Sequence, residues 1–429
     1  MASLKHIDLI RVLAWGETIG AAAIDPRLRG VVFEYDPKWR SRRIELAPLT
    51  MPVDGPGLFR FPDLETAAFK GLPGLLADAL PDKFGNQLIE AWMSRRGYRS
   101  EDVTVLDRLA YMGERTMGAL TFKPTMKAGV QKKDTVLEIG SLVDAARRAV
   151  QGTLSSDKKA SESLKRVISV GTSAGGARAK AVLAISRDRS RVLSGQFDAP
   201  EGFDHWLLKF DGMGKDQALG DSQQYGRIEY AYSKMAKAAG ITMTECDLLE
   251  ESGRAHFMTR RFDRIGNERV HVQSFCAMTH RSFNYTGIHS YESLLQTALD
   301  LGLGDAALRE IFLRMAFNVA AANHDDHTKN FAFLLPRHGR WSLSPAFDVT
   351  FAYSETGQWT NQHQMSVNGK FRDIGAKDLM AVADQYSIPG AKAALESVNE
   401  SVGAWSRYAA EAGVATETAR QIESHLIRL

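Results

Sequence analysis

Chemistry concentrates in one stretch, Asn323-His324-Asp325-Asp326-His327-Thr328-Lys329-Asn330. A run with helical apolar spacing precedes it: Leu308, Ile311, Phe312, Met315, Val319 and Ala322. A short apolar segment, 331–335, follows and reads as a strand. Polar residues between a buried helix and a buried strand are costly unless they are exposed at a site. Asp325 stands five residues before Asn330, the spacing of a protein-kinase catalytic loop. In such a loop the Asp accepts the substrate hydroxyl proton and the Asn holds Mg²⁺. Asp348 follows one hairpin later, where a second metal-binding carboxylate would stand. Mg²⁺ takes few carboxylates and completes its octahedron with phosphate and water, so Asn330, Asp348 and ATP would suit it. Two other readings fit the stretch. One is a capped helix end with solvated charges. The other takes His324, Asp325, Asp326 and His327 as a Zn²⁺ cluster, as in a metal-dependent phosphohydrolase.

The elements that must position such a site lie upstream. Residues 167–170 read as a strand, 171–180 as a small-residue, glycine-rich loop, and 181–185 as a second strand. A hairpin of this kind, with Ser173, Ala174, Gly175, Gly176 and Lys180, can turn successive backbone N–H groups onto phosphates. It lacks the Walker Gly-Lys-Ser/Thr ending and the kinase Gly-x-Gly-x-x-Gly. Trp206-Leu207-Leu208-Lys209-Phe210 then carries a Lys on an apolar strand, a placement that asks for an anionic partner. In a kinase such a Lys serves the α- and β-phosphates and pairs with a helix Glu. Glu229, in the first turns of a helix predicted over 227–239, is the candidate; complementing the helix dipole is its plainer role. Residues 257–264 run from strand to turn where an adenine hinge would lie. Each feature is weak alone, but their order along the chain is the order phosphoryl transfer requires.

The rest of the chain frames this. Its 429 residues suffice for two or three subdomains, and its 44% hydrophobic and 24% charged content is that of an ordinary globular protein. A net charge of +3 permits an acidic partner without arguing for one. Cys246 and Cys276 have no metal-ligand spacing and read as reduced cytosolic thiols. No signal peptide or membrane-spanning run is evident, so a cytoplasmic protein without membrane contact is expected. Residues 7–45 alternate as a small antiparallel sheet, with 31–35 its clearest strand. Helices are predicted over 65–80, 82–96, 136–150, 376–386, 391–412 and 416–429, and a strand over 119–122.

Several motifs resemble the HipA family, the serine/threonine-kinase toxins of bacterial toxin–antitoxin modules. They are Asn323-x-Asp325-x-His327-x-Lys329-Asn330 and Ser344-Pro345-Ala346-Phe347-Asp348-Val349. Glu34-Tyr35-Asp36-Pro37-Lys38-Trp39 and Leu80-Pro81-Asp82-Lys83-Phe84-Gly85 match the family's N-terminal subdomain. Arg261-Phe262-Asp263-Arg264 and Gly175-Gly176-Ala177-Arg178-Ala179-Lys180 match as well. The resemblance implies an α+β, two-lobed protein-kinase-like fold. Its parts would be an N-terminal subdomain (1–125), a nucleotide-binding part of the N-lobe (126–260) and a helical C-lobe (261–429). It implies Asp325 as catalytic base, Asn330 and Asp348 on Mg²⁺, Lys209 on the ATP phosphates, and autophosphorylation of Ser173 that ejects its loop. The implied partners are a small HipB-like helix-turn-helix antitoxin, operator DNA through that antitoxin, and a protein substrate such as an aminoacyl-tRNA synthetase. Arg178 departs from the Gln of the best-studied branch. A catalytically silent scaffold for a DNA-binding partner is the third reading.

Overall fold

The computed structural model describes residues 6–25, 30–81, 83–94, 97–126, 142, 179–211, 224–251 and 253–429. The predicted helix over 136–150 apart from Leu142, the strand over 167–170 and the loop residues Ser173, Ala174, Gly175 and Gly176 lie outside them. The chain forms two compact units, Met1–Lys215 with Met258–Gln273 and Leu335–Gly339, and Asp216–Phe257 with Ser274–Leu334 and Arg340–Leu429.

The first unit begins with the expected antiparallel sheet. Strands β1 (Leu9–Ala14), β2 (Glu17–Asp25), β3 (Gly30–Tyr35), β4 (Leu58–Phe59) and β5 (Leu120–Lys123) lie in the order β4-β3-β2-β1-β5. Alternation fixes the faces: Ile10 and Val12 are buried while Leu9 and Arg11 are exposed. Gly20 is required where β2 meets β3, since a Cβ there would stand 2.2 Å from the Glu34 carbonyl oxygen. Helix α1 (Pro37–Arg42) follows with Pro37 at its start and an Asp36 cap that accepts the Lys38 amide at 2.8 Å. The long helix predicted over 65–80 is instead two single turns, α2 (Thr66–Phe69) and α3 (Gly74–Ala77). Lys70 and Gly71, both at positive φ, end the first, and Pro73 precedes the second. Helices α4 (Lys83–Ser94) and α5 (Val105–Met112) complete this part, α5 starting from a Thr104–Asp107 capping box.

A second sheet in this unit sets β6 (Lys180–Ser186) between β7 (Val192–Ser194) and β8 (Phe203–Lys209). Lys209 is the last residue of β8, as its sequence placement predicts.

The second unit carries helices α6 (Tyr225–Ala238), α7 (Phe275–Thr279), α8 (Tyr291–Asp300) and α9 (Asp305–Ala320). α10 (Ala376–Gln385), α11 (Ala391–Gly403), α12 (Trp405–Glu411) and α13 (Thr416–Glu423) follow. Every position of the apolar period in α9 is buried: Leu308, Ile311, Phe312, Met315 and Val319. The single helix predicted over 391–412 breaks at Ala404, and Trp405 beyond the break is buried with its ring 5.2 Å from that of Tyr232. The helix predicted to Leu429 stops at Glu423, because the tail finds tertiary partners: Ile427 N donates to Ala320 O and Leu429 N to Asn399 Oδ1. No helix among the described residues is long and apolar enough to cross a membrane.

Candidate active site

Asp325, Asn330 and Asp348 line one pocket of the second unit, together with Arg314, Asn318 and Asn323. Apolar side chains close its sides, among them Ile241, Phe317 and Phe331. The three residues singled out for chemistry are therefore brought together. Asp348 sits at φ 54° and Ala322, just before the loop, at φ 49°. Left-handed backbone is uncommon outside glycine, and such residues persist only where their surroundings impose them, often at functional sites.

The loop between these residues is fastened along its length. Asn323 Nδ2 donates to Asn318 Oδ1 at 2.8 Å, and Asn318 Nδ2 donates to the Tyr291 hydroxyl at 2.9 Å. His324 N donates to Ala352 O. Thr328 Oγ1 donates to Arg281 O at 2.9 Å. Between them Asp326 acts as the anchor. Its Oδ2 accepts from the Tyr291 hydroxyl and His363 Nδ1, each at 2.8 Å, and its Oδ1 accepts the Gln364 amide at 2.7 Å. A carboxylate only 1% exposed is tolerable when its lone pairs are met in this way. Burial, with Asp326 adding to it, pushes the Tyr291 hydroxyl well above its ordinary pKa, so it stays a donor. Nothing in the local pattern separates Asp326 from Asp325. The distinction comes from Tyr291 and His363, 35 and 37 residues away.

Consecutive residues of the loop thus face different ways. Asp325 keeps a half-exposed side chain, 3.6 Å from His327 Nε2. His327 stands beside the Phe283 ring at 5.5 Å. The His324 ring lies 4.1 Å from that of His363, tilted by 37°, and burial followed by the nearby His363 lowers its pKa to about 4, so its ring is neutral. The run splits into two sets of contacts, Asp325 with His327, and His324 and Asp326 with His363, and among the described residues no group of three or more His, Cys, Asp or Glu is arranged for a metal ion.

Asn330 fits a metal-binding role by its orientation. Its Nδ2 donates to the Asp325 carbonyl at 2.6 Å. A carbonyl only accepts, so the amide cannot be reversed and Oδ1 is turned away from that bond. One amide oxygen and the Asp348 carboxylate on the same pocket form the sparse oxygen set that Mg²⁺ uses alongside phosphate and water.

In the first unit, Lys209 is the direct cross-strand partner of Lys180, and both are buried. Glu229 is buried on α6 of the second unit. The Arg261-Phe262-Asp263-Arg264 turn is structural. Arg261 binds Asp263 through two bonds, Nε to Oδ1 at 2.8 Å and Nη2 to Oδ2 at 2.6 Å, and Asp263 also accepts the Gly118 amide at 2.8 Å. Desolvation opposes the Asp263 charge, but the guanidinium prevails and holds its carboxyl well below the usual range.

Comparison with known proteins agrees with this architecture. The HipA-like C-terminal domain matches residues 172–424, and the HipA N-terminal domain matches residues 10–123. The chain belongs to the HipA family. Its fold is that of HipA from Shewanella oneidensis MR-1, a structure solved with HipB and operator DNA. That match has a TM-score of 0.62 and covers 97% of this chain and 96% of the other, at 15% identity. The α+β class expected from sequence is therefore the one found. The candidate kinase Y4dM of Sinorhizobium fredii is 24% identical over 229 residues, 48% of this chain and 54% of that relative. The match thus spans about half the length of that curated relative. A likeness to the Helicobacter pylori proinflammatory kinase CtkA has 12% identity over 52% of this chain and 88% of that one. Its TM-score is 0.34.

Proposed function

We propose that this chain is an ATP-dependent serine/threonine protein kinase acting as a HipA-type toxin. The observation that carries the reading is the convergence of Asp325, Asn330 and Asp348 on one pocket. In this reading Asp325 accepts the proton of a substrate hydroxyl as its oxygen attacks the γ-phosphorus. The bond to the β-phosphate oxygen breaks, leaving a phosphoester and ADP. Asn330 and Asp348 hold Mg²⁺, which when bound neutralises charge on the phosphates. Lys209 and Lys180 contact the phosphates with the loop of Ser173, Ala174, Gly175 and Gly176, and Lys209 pairs with Glu229. The nucleotide-binding parts fall within 126–260 and the catalytic loop within 261–429.

The family supports the finer parts of the proposal. A structure of its Shewanella member contains HipB and operator DNA, so a HipB-like antitoxin is the proposed partner, with DNA reached through it. The substrate is a protein, an aminoacyl-tRNA synthetase being the type implied by the resemblance. Phosphate on Ser173 would add about two negative charges where ATP phosphates must lie, which supports self-inactivation.

The test is radiolabel transfer from [γ-³²P]ATP by purified wild type, Asp325→Asn and Asp348→Asn, with mass spectrometry of Ser173. Both variants should lose transfer and stay folded. Near-normal transfer by either one would end the kinase reading. Phosphate on Ser173 in both the wild type and Asp325→Asn would point to another kinase acting in trans.

A further inference from the structure

We propose that Arg314 is the positioning residue for the metal-binding Asp348, acting through the backbone that leads into it. The inference rests on the metal assignment proposed above.

Arg314 lies on α9, lines the same pocket as Asp348 and is only 4% exposed. A buried guanidinium requires acceptors. Its Nε donates to Glu310 Oε1, one helical turn back, at 2.8 Å. Its Nη2 donates to the carbonyl of Ser344 at 2.6 Å. Ser344 opens Ser344-Pro345-Ala346-Phe347-Asp348, so the guanidinium grips the metal segment four residues before its carboxylate. Glu310 extends the grip on the other side. It accepts the Thr242 amide at 3.1 Å, and Thr242 O in turn accepts the Ala346 amide at 2.8 Å. Glu310, Arg314, Ser344, Ala346 and Thr242 therefore close a ring that fixes two of the four residues before Asp348. Asp348 itself sits in a left-handed conformation that needs such support.

The third nitrogen points to a role beyond packing. Arg314 Nη1 is buried and finds no hydrogen-bond acceptor among the described residues. A buried donor left unmet is costly and rare, and it calls for an explanation. Here it belongs to a residue lining the pocket where water and phosphate oxygens would arrive with the metal. Lys could not replace this geometry, because one ammonium on a flexible stem lacks the planar fork that serves Glu310 and Ser344 together.

The experiment measures Mn²⁺ affinity by electron paramagnetic resonance with a non-hydrolysable ATP analogue, for wild type, Arg314→Lys and Glu310→Gln. Melting temperature without ligand and the Mg²⁺ dependence of transfer accompany it. Arg314→Lys should weaken Mn²⁺ binding by about tenfold or more, the loss typical when support behind a metal ligand is removed. Transfer should recover in part as Mg²⁺ is raised. A lower melting temperature with unchanged Mn²⁺ affinity and unchanged Mg²⁺ dependence would reduce Arg314 to a packing residue and overturn the proposal. If Arg314→Lys does not fold, Glu310→Gln, which weakens the same clamp while keeping its shape, decides the question on the same readouts. Absence of Mn²⁺ binding by the wild type would overturn the metal assignment itself. Binding by the wild type that the clamp variants leave untouched would overturn only the role of Arg314.

Discussion

Asn330 reaches back across five residues and donates its side-chain amide to the main-chain carbonyl of Asp325. One bond thus joins the residue proposed as base to a residue proposed as metal ligand, and it sets which amide atom is left for the metal. Asn330→Asp separates the two functions. The carboxylate keeps an oxygen ligand but cannot donate to the carbonyl, so two acceptors face each other. Transfer should fall by about 100-fold, the scale of losing one well-placed group at a charged transition state. The fall should be larger than the loss of Mg²⁺ affinity in the same variant. A variant with weaker Mg²⁺ binding but a normal rate at saturating Mg²⁺ would show that the bond to Asp325 does not matter.

Asp326 is expected to be needed for the fold rather than for the reaction. Asn in its place loses the charge and turns an N–H₂ group toward one of three donors: the Tyr291 hydroxyl, His363 Nδ1 or the Gln364 amide. Leaving buried donors unmet costs about 1–3 kcal/mol each. Asp326→Asn should lower stability in urea by about 2–4 kcal/mol on that basis. Tyr291→Phe, which removes one donor and deprives Asn318 of an acceptor, should cost about 1–2 kcal/mol. Denaturation midpoints within error of wild type for both variants would remove the anchor role.

The pattern of these contacts explains what can be read from the chain and what cannot. The helical period of α9 and the strand after the loop were legible because apolar spacing records burial directly. That Asp325 and Asn330 line one pocket was legible from their five-residue spacing, and that Asp348 joins them from the short hairpin that leads to it. Asp326 and Arg314 were not, since their partners lie at Tyr291, His363, Gln364 and Ser344, and hydrogen bonds to distant residues leave no period in the sequence. Arg261-Phe262-Asp263-Arg264 stands out as a motif in the sequence, where the strand turns toward the expected nucleotide hinge. Within it Arg261 and Asp263 bind each other, and Asp263 also accepts the Gly118 amide, contacts that the four-residue pattern does not reveal. The helix ends at Lys70, Ala404 and Glu423 were missed for a related reason: capping and tertiary contacts compete with propensity at each.

The Arg261–Asp263 pair should be worth most when one partner is removed. Both side chains are essentially buried, at 1% and 0% exposure. Arg261→Met leaves a buried carboxylate with the Gly118 amide and the less direct charge of Arg264, and breaking a buried pair by removing one partner costs about 3–5 kcal/mol. The double variant Arg261→Met/Asp263→Leu should recover much of that loss, because an apolar pair of similar volume needs no desolvated charge. Urea denaturation of the single and double variants measures both effects. A double variant no more stable than Arg261→Met would overturn the expected recovery.

Stability should decline on the acid side of neutrality, and His271 shows why. Burial lowers its pKa to about 4, while its Nε2–H donates to the Leu46 carbonyl at 3.2 Å. The unfolded chain titrates near pH 6.5, so between about pH 4 and 6.5 the unfolded state binds the proton and the native state does not. Stability therefore rises with pH across that window and is lost as pH falls through it. Above it neither state is protonated, and below it both are. One such histidine contributes a slope of up to about 1.4 kcal/mol per pH unit. His205 and His280, each also lowered to about 4 by burial, act in the same direction. His271→Gln keeps an N–H that can meet the Leu46 carbonyl but cannot titrate. It should flatten the fall in urea midpoint between pH 6.5 and pH 4.5 while changing little at pH 8. A wild-type midpoint independent of pH over that range, or a variant with the full wild-type slope, would show that His271 is not buried as a neutral ring.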